Sequence, residues 1–377
     1  MGPAMRARPP ILAPRPPLGK ALLLALLLAS ASAAVAETSS WVGRGDGPDA
    51  PVARKLAPKA GAVKVIKTLP GTPGVAEPAA RPPPGGGSMR AKTAPLGDDA
   101  AYEAFDQGRY ITALELAVRA AERGEPQAHT LVGRIYADGL GTSRNAAIAA
   151  QWYARAAELG DPEGMFAYGL VLAEGQGVDK DRAAAGRMFE AAALRKHPLA
   201  NYNLALLFLK GDGKPENPFR AFAHMTFAAE AGISAAQYDL GTLYATGTGT
   251  DANAMEAAKW IGKAANAGHV EAQLDYAIIL FRGSGLPPDQ KKGAEMFRAA
   301  AEKGVSVAQN RLARCYAHGA GVEMNVVEAA KWHLIAKAGG IPDDSLDKIL
   351  AKLSKADRAK AQKAAEDWKD RASAGLE

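Results

Sequence analysis

The sequence predicts an all-α fold: a right-handed α/α superhelical solenoid of six or so 36-residue helix-pair repeats, closed by a C-terminal helical cap. Three observations predict it. Glycine pairs of the form Gly-x-Gly recur at Gly139/Gly141, Gly175/Gly177, Gly211/Gly213, Gly247/Gly249, Gly283/Gly285 and Gly319/Gly321, each step being 36 residues. A second set, Gly124, Gly160, Gly232, Gly268, Gly304 and Gly340, keeps the same interval, with Lys196 as its one exception. Between the two sets the apolar residues fall on helical stripes. A fixed period between about 20 and 50 residues marks stacked supersecondary units, none of which can bury its apolar face alone.

Taken in chain order, residues 1 to 36 read as an address. Arg6, Arg8, Arg15 and Lys20 precede the apolar run from Ala21 to Ala29, which softens into small residues and reaches Ala34-Val35-Ala36. This is the layout of a secretory signal peptide cleaved after Ala36. The competing reading, a retained anchor, meets the difficulty that Ala21 to Ala36 falls short of the roughly 20 strongly apolar residues of a spanning helix. The mature protein is therefore expected in the periplasm or secreted, with no integral membrane span. Residues 37 to 99 hold ten Pro and ten Gly and no helical apolar spacing, the composition of a disordered linker. Its only patterned stretch, Val63 to Leu69, has the alternation of a strand that could add to a partner's sheet edge, although a plain linker explains it more simply.

The solenoid is expected over residues 100 to 340. The stripe Ala149, Trp152, Tyr153, Ala156, Ala157 has the spacing of one helix face and ends at Gly160, which defines helix A. Asp161-Pro162 then offers an N-cap and a first-turn proline, and Tyr168, Val171 and Leu172 make the stripe of helix B. The Ala156/Ala157 pair recurs in every unit, so small residues set the helix spacing. Two columns of large residues, one running from Tyr136 to Tyr316 and the other from Val132 to Leu312, fill the gaps between units. Ser345 to Lys352 and Ser354 to Trp368 are amphipathic but off the repeat pattern, and residues 341 to 377 are the candidate capping helices.

These residues resemble the Sel-one-like (Sel1) repeat family, relatives of the tetratricopeptide repeats. The motif is carried by Ala149-x-x-Trp152-Tyr153-x-x-Ala156-Ala157-x-x-Gly160 and by Ala236-x-x-x-Leu240-Gly241-x-x-Tyr244-x-x-Gly247-x-Gly249. The third unit departs most, with Met188, Phe189 and Lys196 in place of Trp, Tyr and Gly, and its A-to-B turn is expected to differ. The resemblance implies that helix A lines the concave face. It also implies partnership with a protein or peptide in the cell envelope, as in exported relatives that act in envelope signalling and assembly.

Composition and charge exclude other classes. One cysteine in 377 residues rules out a disulfide scaffold and a multi-cysteine metal site. The formal charge of +6 comes from the first 99 residues, because residues 100 to 377 hold 33 basic against 34 acidic side chains. Nothing in that balance calls for nucleic acid. The glycine pairs follow helices instead of strands and lack the lysine of a phosphate loop, so no nucleotide or other cofactor is expected. Cys315 shares a column with Ile135, Val171, Leu207, Leu243 and Ile279 and reads as a small hydrophobe, not a nucleophile or metal ligand. The six histidines are read as scattered over different repeat positions, as single surface or groove residues. The Trp152, Trp260 and Trp332 column reads as packing between helices. Beside it runs a polar, mostly basic column, Gln151, Arg187, Ala223, Lys259, Glu295 and Lys331, with Arg155, Lys263 and Arg298 nearby. By the resemblance these side chains look into the groove, so Gln151, Arg155, Arg187, Lys259, Lys263, Glu295, Arg298 and Lys331 are the candidate partner-binding residues, although a solvated helix face would show the same composition. No paired carboxylates and no nucleophile triad occur. The expected function is a non-enzymatic interaction scaffold or regulator; the alternatives are a secreted hydrolase acting on β-lactam or peptidoglycan-like ligands, which by resemblance would belong with cysteine-rich relatives, and a structural envelope spacer.

Overall fold

The computed structural model describes residues 98 to 374, and within them every regular element is helical. The signal-peptide segment, the Val63 to Leu69 stretch and the rest of the linker before residue 98 lie outside the described residues. In chain order the helices are α1 (Asp98–Asp106), α2 (Tyr110–Glu122), α3 (Pro126–Asp138), α4 (Ala146–Glu158), α5 (Pro162–Glu174), α6 (Arg182–Leu194), α7 (Pro198–Lys210), α8 (Pro218–Glu230), α9 (Ser234–Thr246), α10 (Ala254–Asn266), α11 (Val270–Arg282), α12 (Gln290–Glu302), α13 (Ser306–His318), α14 (Val326–Ala338), α15 (Asp344–Lys352) and α16 (Lys355–Ala374). Even-numbered helices from α2 to α14 are A helices and odd-numbered ones from α3 to α13 are B helices. Both series start every 36 residues, and each helix packs against the one before and the one after it, as a solenoid requires.

Identical caps explain the identical starts. Asn145, Asp181, Asn217, Asn253, Asp289 and Asn325 form a column in which each side chain accepts a backbone N–H of the A helix that follows. Such caps contribute on the order of 1 kcal/mol each. The amide of each capping residue in turn donates to a carbonyl of the preceding B helix, from Asn145 to Tyr136 at 2.8 Å through Asn325 to Tyr316 at 2.9 Å, so every B-to-A turn closes alike. The first glycine of each pair adopts a left-handed conformation and ends helix B. The second has a steric role as well. A Cβ on Gly249, at φ +70°, would lie 2.1 Å from the Pro218 carbonyl oxygen, so glycine alone lets the turn rest on the first residue of α8.

The third A-to-B turn does not differ. Lys196 takes φ +62°, the one left-handed non-glycine residue among those described, and His197 N–H bonds to the Ala192 carbonyl as Asp161 N–H does to Ala156. Backbone hydrogen bonds and packing on both sides hold Lys196 in the geometry its neighbours reach with glycine.

The core follows one rule. Large side chains of the A helices α4, α6, α8, α10 and α12, Tyr153, Phe189, Met225, Ile261 and Phe297, are buried, and three of them sit over a glycine of the preceding B helix. Cβ atoms on Gly133, Gly169 and Gly241 would come within 2.5 to 2.7 Å of Tyr153, Phe189 and Ile261. The alanine column Ala120, Ala156, Ala192, Ala228, Ala264, Ala300 is buried in every unit, and the next alanine joins it in most. At the N-terminal end α1 buries Ala101 and Ala104 against Ala113, Ala117 and Leu131, a capping helix that lies off the repeat pattern. At the C-terminal end Leu346 of α15 and Ala365 of α16 are buried with Trp332 and Ile335, and Trp368 packs on the same cluster.

Two readings of the histidines are corrected here. His197 and His269 share one repeat position, and their Nδ1 atoms accept the N–H groups of Ala200 and Ala272 as N-caps of α7 and α11. His129 and His333 are buried, not surface residues. His333 stands in the large-residue column of Tyr153 and Phe189, where its Nε2 meets Asp347 of α15 at 2.8 Å and ties the last repeat to the cap. Cys315 is buried in an apolar cluster, and burial pushes its thiol up to about 11, the environment of a packing residue.

Candidate partner-binding face

The two helix layers differ in what they leave open. B helices are buried along much of their length; in α11, residues 272 to 277 are buried without a break. A helices turn one stripe toward solvent, along which Arg155, Arg187, Lys259, Lys263 and Glu295 are exposed while Gln151, Arg298 and Lys331 are partly covered.

Their environments are not equal. Arg155 is exposed and pairs with Glu158 at 2.9 Å. Arg187 is exposed and makes no ion pair with any described residue. Lys259 bonds to Glu256 one turn earlier at 3.0 Å. The Lys263 ammonium sits 3.8 Å from the centre of the Trp260 ring, a cation–π contact. Lys331 is mostly covered, held between Glu328 at 3.2 Å and the face of Trp332. Gln151 is half-buried, and its Oε1 is enclosed without a hydrogen-bond partner. The tryptophan column does pack between helices, with Trp260 and Trp332 buried and Trp152 against His129.

Glu295 and Arg298 come together in a cleft of about 500 Å³ between α12 and the start of α14. Lys291, Tyr316, Met324 and Glu328 also line it, and Arg298 donates to the Tyr316 hydroxyl at 2.8 Å. Acids and bases are mixed there, so the cleft carries no strong field of one sign.

A second polar system lies inside the stack. Tyr202 donates to Asp239 at 3.0 Å and Tyr238 to Asp275 at 2.9 Å, the same bond one repeat apart, joining successive B helices. Burial pushes both carboxyls up to about 6, against the opposing effect of the tyrosine hydrogen bonds. Gln237, Gln273 and Gln309 each donate to a carbonyl at the end of the preceding A helix. Near the cap, Asp343 is held down at about 2: burial alone would raise it, but Asn310, Arg314 and the Leu346 amide all donate to it. These groups are structural joints between successive elements of the stack.

Sequence reasoning missed the exposed apolar residues on the same stripe, Phe219 at 74% and Met255 at 58% exposure. Their shared repeat position was available as a signal, since the two lie 36 residues apart. It was hidden because an apolar side chain near a helix start looks like core until its neighbours are placed. Among the described residues no helix is long and apolar enough to cross a membrane, and no three His, Cys, Asp or Glu side chains gather as a metal site.

Comparison with known proteins agrees with this arrangement. Six consecutive segments, residues 126–161, 162–197, 198–233, 234–269, 270–305 and 306–341, match the Sel1 repeat model. Among solved structures the chain is similar to a Sel1 repeat protein from Oxalobacter formigenes, with 29% identity over 63% of this chain and 96% of that one and a TM-score of 0.56. It is also similar to a protective antigen of uropathogenic Escherichia coli displaying an SLR fold, with 27% identity over 72% of this chain and 68% of that one and a TM-score of 0.47. No curated protein matches it.

Proposed function

This chain belongs to the Sel1 repeat family, and from that premise we propose that it is a non-enzymatic scaffold or regulator that holds a segment of a partner protein against the outward stripe of its A helices. Sel1 repeats typically mediate protein–protein interaction. The observation that carries the reading is the division of labour between layers: B helices are buried in the stack, while A helices expose Arg187 and Lys259 at one repeat position two units apart, with Lys263 one turn on from Lys259. An extended surface of this kind contacts a partner over many units and offers no enclosed pocket in which to orient a reaction. Residues 1 to 36, with their basic start and short apolar run, support an envelope location in the periplasm or beyond the cell.

The experiment is in-cell cross-linking of the tagged chain in the envelope fraction, followed by affinity capture, with the wild type beside a variant carrying Arg187→Glu, Lys259→Glu and Lys263→Glu. One stoichiometric protein recovered with the wild type and lost with the variant, at unchanged helicity, is the expected result. Recovery of the same partner by both proteins would remove the A-helix stripe as the binding face.

A further inference from the structure

Residues 348 to 363 hold six basic side chains, Lys348, Lys352, Lys355, Arg358, Lys360 and Lys363, and one acid, Asp357, the most one-sided stretch of its length among the described residues. All six bases are exposed. The stretch turns the corner between α15 and α16, at Leu353-Ser354. Around that corner the carboxylates are engaged. Asp357 accepts the Ser354 hydroxyl at 2.8 Å and holds Lys360 at 3.2 Å. On the neighbouring turns Asp343 is held by Asn310 and Arg314, and Asp347 by His333 and Lys337. Asp344 stands eight residues before Lys352 and Glu366 eight after Arg358, each about 12 Å away along its helix. Lys348 and Lys363 lie closer to those acids and form the rim.

The bases at the corner itself keep their charge. Lys352 and Lys355 make no ion pair with any described residue. Arg358 donates to the Leu350 and Ala351 carbonyls at 3.2 and 3.0 Å, and no described carboxylate pairs with it. Among these bases Leu350 and Leu353 are only half-buried, and Ala351, Ala356 and Ala359 are exposed. A corner between two helices is convex and meets a plane more readily than it encloses a chain. Cations around a small apolar centre match a surface that is anionic outside and apolar just beneath, which is the layering of a bilayer of acidic lipids.

We propose that the α15–α16 corner, through Lys352, Lys355 and Arg358 around Leu350 and Leu353, docks the C-terminal end of the stack on an anionic phospholipid surface. The contact is peripheral and separate from the A-helix face. Nucleic acid offers the same charge, but no aromatic ring stands among residues 348 to 363 on which a base could stack. An acidic protein offers it too, without the apolar layer that Leu350 and Leu353 would enter.

The test places an environment-sensitive fluorophore at the corner of the full chain through Ala356→Cys, and in a second protein at the distant, exposed Ser143 through Ser143→Cys. Cys315 is buried, and the unsubstituted chain checks that it stays unlabelled. Vesicles of phosphatidylglycerol and phosphatidylcholine are expected to shift the emission of the label at position 356 to the blue, and vesicles of phosphatidylcholine alone to leave it unchanged. The label at position 143 should not respond. Each lysine near an anionic surface is worth about fivefold in binding, so Lys352→Glu plus Lys355→Glu should raise the lipid needed for half the shift about twentyfold or more. Arg187→Glu plus Lys259→Glu on the A-helix face should not alter it. Circular dichroism confirms the fold of each variant. No shift at position 356, an equal shift at both positions or on neutral vesicles, or indifference to the Lys352 and Lys355 changes would overturn the proposal. A response at position 356 to polyglutamate or to mixed-sequence single-stranded DNA, with none to vesicles, would overturn it as well and assign the corner to an acidic protein or to nucleic acid.

Discussion

Lys196 shows how far one residue can be carried by its surroundings. A left-handed conformation costs an L-residue about 1 to 2 kcal/mol, and the other six positions of its column avoid that cost with glycine. Lys196→Gly removes the strain and gives back part of the gain through the freer unfolded chain, leaving about 0.5 to 1 kcal/mol. The Lys196 side chain is exposed and forms no bond with any described residue that would be lost. The melting temperature followed by far-ultraviolet circular dichroism should rise by roughly 1 to 4 °C; a fall would mean that the turn is held by the lysine itself. The departure at this position was visible in the sequence. Its outcome was not, because whether a residue is forced into a turn depends on the contacts made on either side of it.

At the scale of the element, the joints between B helices should respond to pH in an unusual direction. Asp239 and Asp275 are raised by burial from ordinary carboxyl values to about 6. Between about pH 4 and pH 6 the folded state binds more protons at these sites than the unfolded state, so their contribution to stability falls as pH rises through that window. Asp275→Asn keeps an acceptor for the Tyr238 hydroxyl and removes the buried charge. Relative to wild type, its stability in urea unfolding should be nearly unchanged at pH 4 and about 1 to 3 kcal/mol higher at pH 7. A constant difference across pH would show that Asp275 does not titrate in this range. The glycine and alanine columns that space the helices were legible in the sequence, whereas the Asn/Asp caps of the A helices and the tyrosine–aspartate joints were not picked out. Both are periodic; the caps bond locally, within nine residues, and their column was simply not read, while the joints pair residues 37 positions apart, and only the stack shows which polar columns face each other.

For the whole molecule, stability is expected to be local and additive along the stack, with the ends most vulnerable. Ending the chain after Gly340 removes Leu346, Ala365 and Trp368 from the cluster around Trp332 and Ile335, and takes Asp347 from His333 and Asp343 from Arg314. The shortened protein should self-associate on size exclusion and lose hydrogen-exchange protection in α13 and α14, while α3 to α5 keep theirs. Uniform loss of protection would show that the repeats unfold as one unit.

The sequence by itself determined the period, the helix pair, the left-handed glycines and the capping helices after residue 340, because each depends on local geometry or on a spacing that repeats along the chain. Tertiary structure decided which of the polar residues are free. Lys331 and Arg298 proved to be engaged with Trp332 and Tyr316, Arg187 stayed open, His333 became part of the core, and Phe219 and Met255 emerged as an exposed pair. A side chain's availability depends on the neighbours that cover it. In a solenoid some of those neighbours come from the adjoining repeats, where the period fixes the position but not the residue that fills it.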